Sequence, residues 1–320
     1  MKFFPAIFIT LLPFFFLIWF VAQLMVPVPM WDEWELPKLF ETIQNGNISF
    51  NLFFAQHNEH RIFFPKIIFS ILALLGQWKT ETILGINLLL ALASFIFIVL
   101  IQKNNSADFK QQLLPLGLTS FLIFSINQHG NWLSGFQLPW FFINFCFLLA
   151  VFVIHQSDHI SVIRVLAGGL LCTITSFSSG QGLLIWGAFF PSVILLSKGK
   201  EKKIFNGCLW VGITALIAVF YFRGYQVQTG LPKLGGSLFS YMSTYFFVVL
   251  GGFFTWELSH AELIGKFGCL VFGYYILFMF WTLFRKGFTP VLQQMLPWVP
   301  LALYSLGFAV LTAKGRAGFG

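Results

Sequence analysis

The acidic and imidazole side chains of this chain are concentrated in two short segments near its start. Trp31-Asp32-Glu33-Trp34-Glu35 is followed by His57-Asn58-Glu59-His60-Arg61. Together with Glu41, these segments hold five of the 11 Asp and Glu residues and two of the 6 histidines. Ionisable groups are energetically costly beside hydrocarbon, so a cluster of them in a largely apolar chain indicates a functional site.

Asp32 and Glu33 are the candidate catalytic residues. A carboxylate whose pKa is tuned by partial burial can act as a general base on an acceptor hydroxyl. The alternative interpretation is an interfacial belt of Trp31 and Trp34 with solvated acids beside it, because tryptophan favours the membrane interface. That belt accounts for the tryptophans but not for the adjacent carboxylates.

The second segment has the residue types that bind a phosphate. Arg61 can bind a phosphate oxygen pair bidentately, and His57 and His60 can stabilise developing negative charge beside it. Glu59 would orient one of these histidines or help to hold a divalent ion. A zinc site is a weaker alternative because the HExxH spacing and an obvious third ligand are missing, and a purely structural polar cluster is another. If both segments serve one substrate, we expect Asp32 within roughly 10 Å of the second segment.

The composition places this chemistry in a membrane protein. The 320 residues are 58% hydrophobic and only 9% charged, with 44 phenylalanines, whereas soluble domains are about 25% charged. The pattern predicts an all-α polytopic bundle of about 9–10 spans. We place spans at 4–26, 82–102, 112–127, 136–154, 162–178, 182–197, 204–222, 263–283 and 291–312.

The chain is predicted to form one transmembrane domain over 1–320. Residues 27–61 form an outward polar loop, 62–76 an interfacial helix, and 238–254 a stretch that either spans or re-enters. This arrangement leaves Lys103, Arg164 and the Lys198–Lys203 cluster on the cytoplasmic side, as the positive-inside rule requires. The net charge of +8 is therefore explained by membrane topology, and we predict no nucleic-acid partner.

Other predicted outer segments supply secondary candidates for substrate binding. Trp132, Gln137 and Gln181 could stack on or hydrogen-bond to a sugar, although a tryptophan near an interface is more often an anchor. Arg316 could be a second phosphate contact. The abrupt end just after a span suggests a truncated chain. The four cysteines lie in apolar runs and suggest no disulfide framework.

Several short motifs together resemble the GT-C superfamily of membrane glycosyltransferases. They are WDEW, HNEHRIFFP, NWLSGFQ, SSGQGLLIW and the RAGFG end, and they resemble an uncharacterised bacterial branch related to that superfamily. The resemblance implies transfer of a sugar from a polyprenyl-phosphate carrier. It also implies that Asp32 or Glu33 is the catalytic or metal-associated acid, and that Glu59, His60 and Arg61 lie near the donor. The acids are adjacent rather than spaced as DxD, which weakens the case for a divalent metal.

These observations favour a glycosyltransferase in the bacterial inner membrane with its active site facing outward. Its partners would be a lipid-linked sugar donor, membrane lipids and an envelope glycan or lipid acceptor; no cofactor is certain, and a divalent ion remains open. The alternatives are a transporter or flippase of lipid-linked oligosaccharides and a non-catalytic protein of envelope biogenesis. Transporters place their charges near the bilayer midplane. The ionisable groups here lie instead in the predicted outward loop, which argues against transport. No GxxxxGKS, GxGxxG, GxSxG or HExxH motif occurs in the sequence.

Overall fold

Every regular element that the structure describes is a helix. The structure is a computed structural model that describes residues 4–105, 109–226, 238–287 and 289–316. The α-helices are α1 (Phe4–Leu24), α2 (Leu36–Gln44), α3 (Phe50–Phe54), α4 (Phe63–Leu74), α5 (Thr80–Asn105), α6 (Phe109–Ile123), α7 (His129–Trp132), α8 (Leu138–Ile154), α9 (Val162–Ser176), α10 (Leu184–Leu195), α11 (Lys200–Phe222), α12 (Leu238–Gly251), α13 (Leu258–Lys286), α14 (Pro290–Met295) and α15 (Trp298–Arg316). Short 3-10 helices cover Trp31–Glu35, Ile126–Gln128, Gly135–Gln137 and Gly180–Leu183.

Five helices are long and apolar enough to cross a membrane. They are Thr80–Lys103, Gly135–Ile154, Lys200–Phe222, Leu258–Lys286 and Trp298–Gly315. Five shorter apolar helices accompany them: Thr10–Leu24, Phe63–Leu74, Val162–Ser176, Gly180–Leu195 and Ser240–Gly251. The predicted all-α transmembrane bundle is confirmed as a fold class, and these helices mark the chain as an integral membrane protein.

The predicted spans coincide with helices, but five of the described helices are long and apolar enough to cross a membrane, compared with about 9–10 spans predicted. The boundaries differ most near the chain end. The single span predicted at 291–312 is two helices, α14 and α15, with a turn at residues 296 and 297 between them. Pro297 has no N–H to donate back to the preceding turn, which interrupts the helix there. The stretch predicted to be interfacial at 62–76 contains α4, whose 12 residues extend roughly 18 Å. That length is well short of a bilayer core of about 30 Å.

The described contacts divide the chain into two compact units. The first comprises Met1–Ala150, Leu170–Gly182 and Tyr221–Tyr225. Its main core joins α1, α5, α7, α8 and the residue after α6 through a cluster of Phe14, Leu17, Val21, Leu84, Ala91, Phe95, Phe124, Trp132 and Phe141. A second core forms around the amphipathic helix α2, which buries Leu36, Leu39, Phe40 and Ile43 against Phe69 of α4. The spacing of these four residues of α2 is that of one helix face.

The second unit comprises Val151–Gly169, Leu183–Phe220 and Gln226–Gly320. Here α12 packs on α13 and α15, and α10 also packs on α15. Two glycines permit the close approach of α12 and α13: a Cβ on Gly265 would lie 1.9 Å from the carbonyl oxygen of Phe247, and one on Gly251 would lie 1.9 Å from that of Ala261. Close backbone approach through small residues is typical of helix packing in membranes.

Candidate functional site

The segment Trp31–Glu35 forms a 3-10 helix, which gives its five side chains three distinct environments. In a 3-10 helix residues i and i+3 lie on the same side. Trp31 and Trp34 share one side and are 66% and 61% exposed. Asp32 and Glu35 share the second side, with their side chains 48% and 64% exposed. Glu33 occupies the third side and is 1% exposed.

The second side of this helix faces His57. The Nδ1 atom of His57 lies 3.0 Å from Oε2 of Glu35, and its Nε2 atom lies 3.5 Å from Oδ2 of Asp32. The His57 side chain is only 8% exposed, and its ring packs against Phe136 with centroids 5.0 Å apart. The structure therefore places one imidazole between two open carboxylates. The prediction that Asp32 lies within about 10 Å of the second segment is confirmed.

A tight two-residue turn presents the histidines. His57 and His60 form an antiparallel bridge in which each backbone N–H donates to the other's carbonyl at 2.8 Å. Directly opposed residues of an antiparallel pair project their side chains to the same face. Asn58, inside the turn, has φ of 47°, and Trp31 has φ of 49°. Strained backbone of this kind in non-glycine residues is concentrated at functional sites.

His60 is held by the segment that precedes α10. The backbone N–H of Gly180 donates to Nδ1 of His60 at 3.3 Å, so Nδ1 is an acceptor and the neutral ring carries its proton on Nε2. Burial lowers the pKa of His60, the Glu59 carboxylate opposes this, and His57 adds to the decrease. Nε2 lies 3.7 Å from Oε1 of Glu59, which is 60% exposed. His60 is therefore a neutral hydrogen-bond donor.

Arg61 holds the turn in place. Its Nε donates to the carbonyl of Tyr221, its Nη1 to that of Phe54 and its Nη2 to that of Arg223, each at 2.6 Å. The guanidinium also lies 4.1 Å from the centroid of the Phe54 ring, and Arg61 is 3% exposed. Predicted as a phosphate ligand, Arg61 instead ties the turn to the end of α11.

Glu33 caps the helical segment that begins at Gly135. Its Oε1 accepts the backbone N–H of Gly135 at 2.8 Å, and this helix start presents free N–H groups and a partial positive charge. A Cβ on Gly135 would meet the Glu33 carboxyl group at 3.0–3.2 Å, so the fit leaves little space for a side chain there. Burial raises the pKa of Glu33, and the backbone N–H groups of Gly135, Met30 and Phe136 oppose that rise. Of the two candidate catalytic acids, Asp32 is the open one.

The secondary candidates lie in different environments. Trp132 is 1% exposed, donates from its indole N–H to the carbonyl of Ser125 at 2.9 Å and stacks on Phe141. It is a core residue with no open face for a sugar. Gln137 and Gln181 are half-buried, and Gln181 accepts a hydrogen bond from Ser179. Arg316 ends α15, and its side chain lies outside the described part of the structure.

Some residues of the site were not singled out from sequence. Glu35 is 64% exposed and makes the shorter of the two carboxylate contacts with His57. Tyr225 donates from its hydroxyl to the carbonyl of Glu59 at 3.1 Å, and the hydroxyl of Tyr221 accepts the backbone N–H of Arg61 at 3.3 Å. The cluster of Tyr221, Arg223 and Tyr225 at the end of an apolar run was the available signal. Burial lowers the pKa of Lys66, at the start of α4, to about 8, and the charge of Glu35 opposes this.

The arrangement supports proton transfer at an open surface. An exposed carboxylate beside an imidazole can accept a proton from a bound hydroxyl. Within the described ranges, no group of three or more His, Cys, Asp or Glu side chains is placed to hold a metal ion. Comparisons with protein-family models, curated proteins and solved structures find no match to this chain.

Proposed function

We propose that this chain is a membrane glycosyltransferase that moves a sugar from a polyprenyl-phosphate donor to an acceptor outside the cytoplasm. The observation that carries the proposal is the half-exposed Asp32 carboxylate, 3.5 Å from His57. It lies in a chain whose other elements are largely apolar helices. Asp32 is the general base on the acceptor hydroxyl, and the neutral His60 donates a hydrogen bond to the donor phosphate.

The position of the site suits a lipid-linked substrate. Within the first unit, the site is built from the segment after α1, the segment before α8, the segment after α9 and the end of α11. Helix ends lie at the headgroup level in a membrane bundle. A polyprenyl carrier reaches that level by diffusing in the membrane, so the sugar-bearing phosphate can meet an acceptor from the aqueous phase there. The resemblance to the GT-C superfamily supports the same chemistry.

The charge distribution along α5 supports an outward-facing site. Near its start, Asn87 donates to the carbonyl of Ser134 at 3.4 Å, next to the residue that Glu33 contacts. Lys103 lies in its last turn, and a helix of 26 residues is roughly 39 Å long. Lys103 is therefore at the end of α5 away from the site. By the positive-inside rule that end faces the cytoplasm, in the inner membrane of a bacterial cell.

The proposal predicts a specific loss of activity when Asp32 becomes Asn. This substitution keeps the shape but removes proton acceptance, so turnover should fall by about 10²–10⁴ with little change in donor binding. The assay follows sugar transfer in proteoliposomes from a polyprenyl-phosphate donor to a membrane-impermeant acceptor added outside. Glu41→Gln is the matched control, since Glu41 is an exposed acid on α2, and it should retain full activity.

Three results would contradict the proposal. Full activity of Asp32→Asn would show that Asp32 is not the general base. Movement of the donor lipid across the bilayer without sugar transfer would identify a flippase. Transfer only to an acceptor enclosed on the cytoplasmic side would reverse the proposed orientation.

A further inference from the structure

We propose that Glu35, His57 and Asp32 form a proton relay in which Glu35 is a positioning residue and His57 stores the proton that Asp32 removes. This inference rests on the proposed function and extends it to the fate of the acceptor proton. It is carried by the two contacts of His57, 3.0 Å to Glu35 and 3.5 Å to Asp32. Glu35 reaches His57 because the 3-10 helix places it on the same side as Asp32.

The two contacts differ in a way that assigns the roles. The 3.0 Å separation of Nδ1 from Oε2 of Glu35 is within N–H···O hydrogen-bond range, whereas the 3.5 Å separation of Nε2 from Oδ2 of Asp32 exceeds it. A neutral imidazole donates from one ring nitrogen and accepts at the other. With Nδ1–H donating to Glu35, Nε2 presents its lone pair towards Asp32. A proton transferred from Asp32 to Nε2 would then lie between Nε2 and Oδ2 and form a hydrogen bond between them.

The groups around His57 include few alternatives to this transfer path. Two carboxylates face it from the 3-10 helix, and Asn58 of its own turn places its amide nitrogen 3.5 Å from Nε2. The apolar Phe136 ring covers another side. Glu59 and His60 are the titratable groups of the same turn: Nδ1 of His60 accepts the backbone N–H of Gly180, and its Nε2 lies 3.7 Å from Glu59. Lys66 of α4 is a charged group close enough to Glu35 for the Glu35 charge to raise the pKa of Lys66 against the effect of burial.

Sugar transfer breaks one bond to C1 of the sugar and forms another. The bond between the sugar C1 and the donor phosphate oxygen breaks, and its electron pair leaves with the phosphate. The acceptor oxygen forms the new bond to C1 and gives its proton to Oδ2 of Asp32. That proton passes to Nε2 of His57, and the imidazolium that results is stabilised by the hydrogen bond from Nδ1–H to Glu35. Asp32 is thereby ionised again, and the imidazolium releases its proton to water before the next acceptor reacts, in the manner of an acid–imidazole pair oriented by a second carboxylate.

The first test compares Glu35→Gln with Glu41→Gln in the transfer assay. Glu35→Gln should lower kcat by about tenfold to a hundredfold, leave KM unchanged and alter the pH dependence of kcat/KM. Glu35→Asp, which keeps the charge, should recover part of the loss. Glu41→Gln should match the wild type. An unchanged kcat and pH profile in Glu35→Gln, with an active wild type, overturns the relay and leaves the proposed function intact.

The second test does not depend on sugar transfer. In protein labelled with 15N-histidine, the His57 signal is assigned by its loss in His57→Gln. It should show the Nδ1–H tautomer in the wild type and lose that preference in Glu35→Gln. A dominant Nε2–H tautomer in the wild type would contradict the relay. A wild type that shows the Nδ1–H form but transfers no sugar would refute the proposed function instead, so the two failures are distinguishable.

Discussion

Replacement of Arg61 by lysine separates a structural role for this residue from a role in binding phosphate. Both side chains carry one positive charge, so a phosphate contact would be largely kept. The structural role requires the planar fork of the guanidinium, which donates to the carbonyls of Tyr221, Phe54 and Arg223. A lysine ammonium is a point donor on a flexible stem and cannot reproduce that fork.

The size of the effect follows from the three bonds. A hydrogen bond from a charged group contributes about 1.5–3 kcal/mol, and a buried carbonyl without a partner adds a penalty. If the lysine satisfies one of the three carbonyls, two bonds are lost. We therefore expect Arg61→Lys to lower the free energy of unfolding by about 3 kcal/mol or more. That change corresponds to a fall in unfolding temperature of roughly 5 °C or more in a chain of this size.

The buried cysteines provide the assay. Cys146 and Cys172 are buried, whereas Cys208 is exposed and Cys269 is half-buried. In a background with serine at positions 208 and 269, a thiol-reactive fluorophore reports unfolding in detergent as the two buried thiols become accessible. Arg285→Lys is the matched control, because Arg285 is exposed in the last turn of α13. The control should unfold at the wild-type temperature.

One result would refute the structural role of Arg61. If Arg61→Lys unfolds within about 1 °C of the wild type, the three carbonyl contacts do not hold the turn. Arg61→Lys should also reduce sugar transfer, because a loosened turn misplaces His57 relative to Asp32. Wild-type stability together with largely retained sugar transfer in Arg61→Lys would instead identify Arg61 as a donor ligand, because the lysine charge keeps most of a phosphate contact.

Two further predictions concern the Glu33 cap. Gly135→Ala should lower the free energy of unfolding by about 1.5–3 kcal/mol, because the added Cβ displaces the carboxyl group that accepts the Gly135 N–H; Gly130→Ala, where nothing lies within 4 Å of the new Cβ, should be neutral or slightly stabilising in the same thermal assay. Glu33→Gln should change the pH dependence of unfolding. Because burial raises the folded-state pKa of Glu33 above 4.5, its stabilising contribution is complete below pH 4.5 and is lost as the pH rises through the folded pKa. The wild type should therefore lose stability relative to Glu33→Gln as the pH rises above 4.5; parallel unfolding curves at all pH values would contradict this.

The sequence by itself determined the fold class and the region that holds the chemistry. Long apolar runs must become helices in a bilayer because each backbone N–H and C=O has to be satisfied within its own segment. This requirement acts locally, so the positions of α1, α5, α8, α11 and α13 follow from composition along the chain. The cost of placing ionisable groups beside hydrocarbon also acts locally, and it identified the two segments that the structure brings together at His57.

Only the tertiary structure decided which side chains within those segments are open. Asp32, Glu33 and Glu35 are near neighbours in the sequence. Glu33 is the buried one, because its carboxylate accepts the backbone N–H of Gly135, which lies 102 residues away in the chain. Arg61 is committed to a carbonyl 160 residues away, and the core position of Trp132 depends on α1 and α5. Burial and hydrogen bonding of a polar side chain depend on distant partners that no local pattern specifies. The 3-10 geometry that directs Asp32 and Glu35 to one imidazole while burying Glu33 is a property of the folded chain.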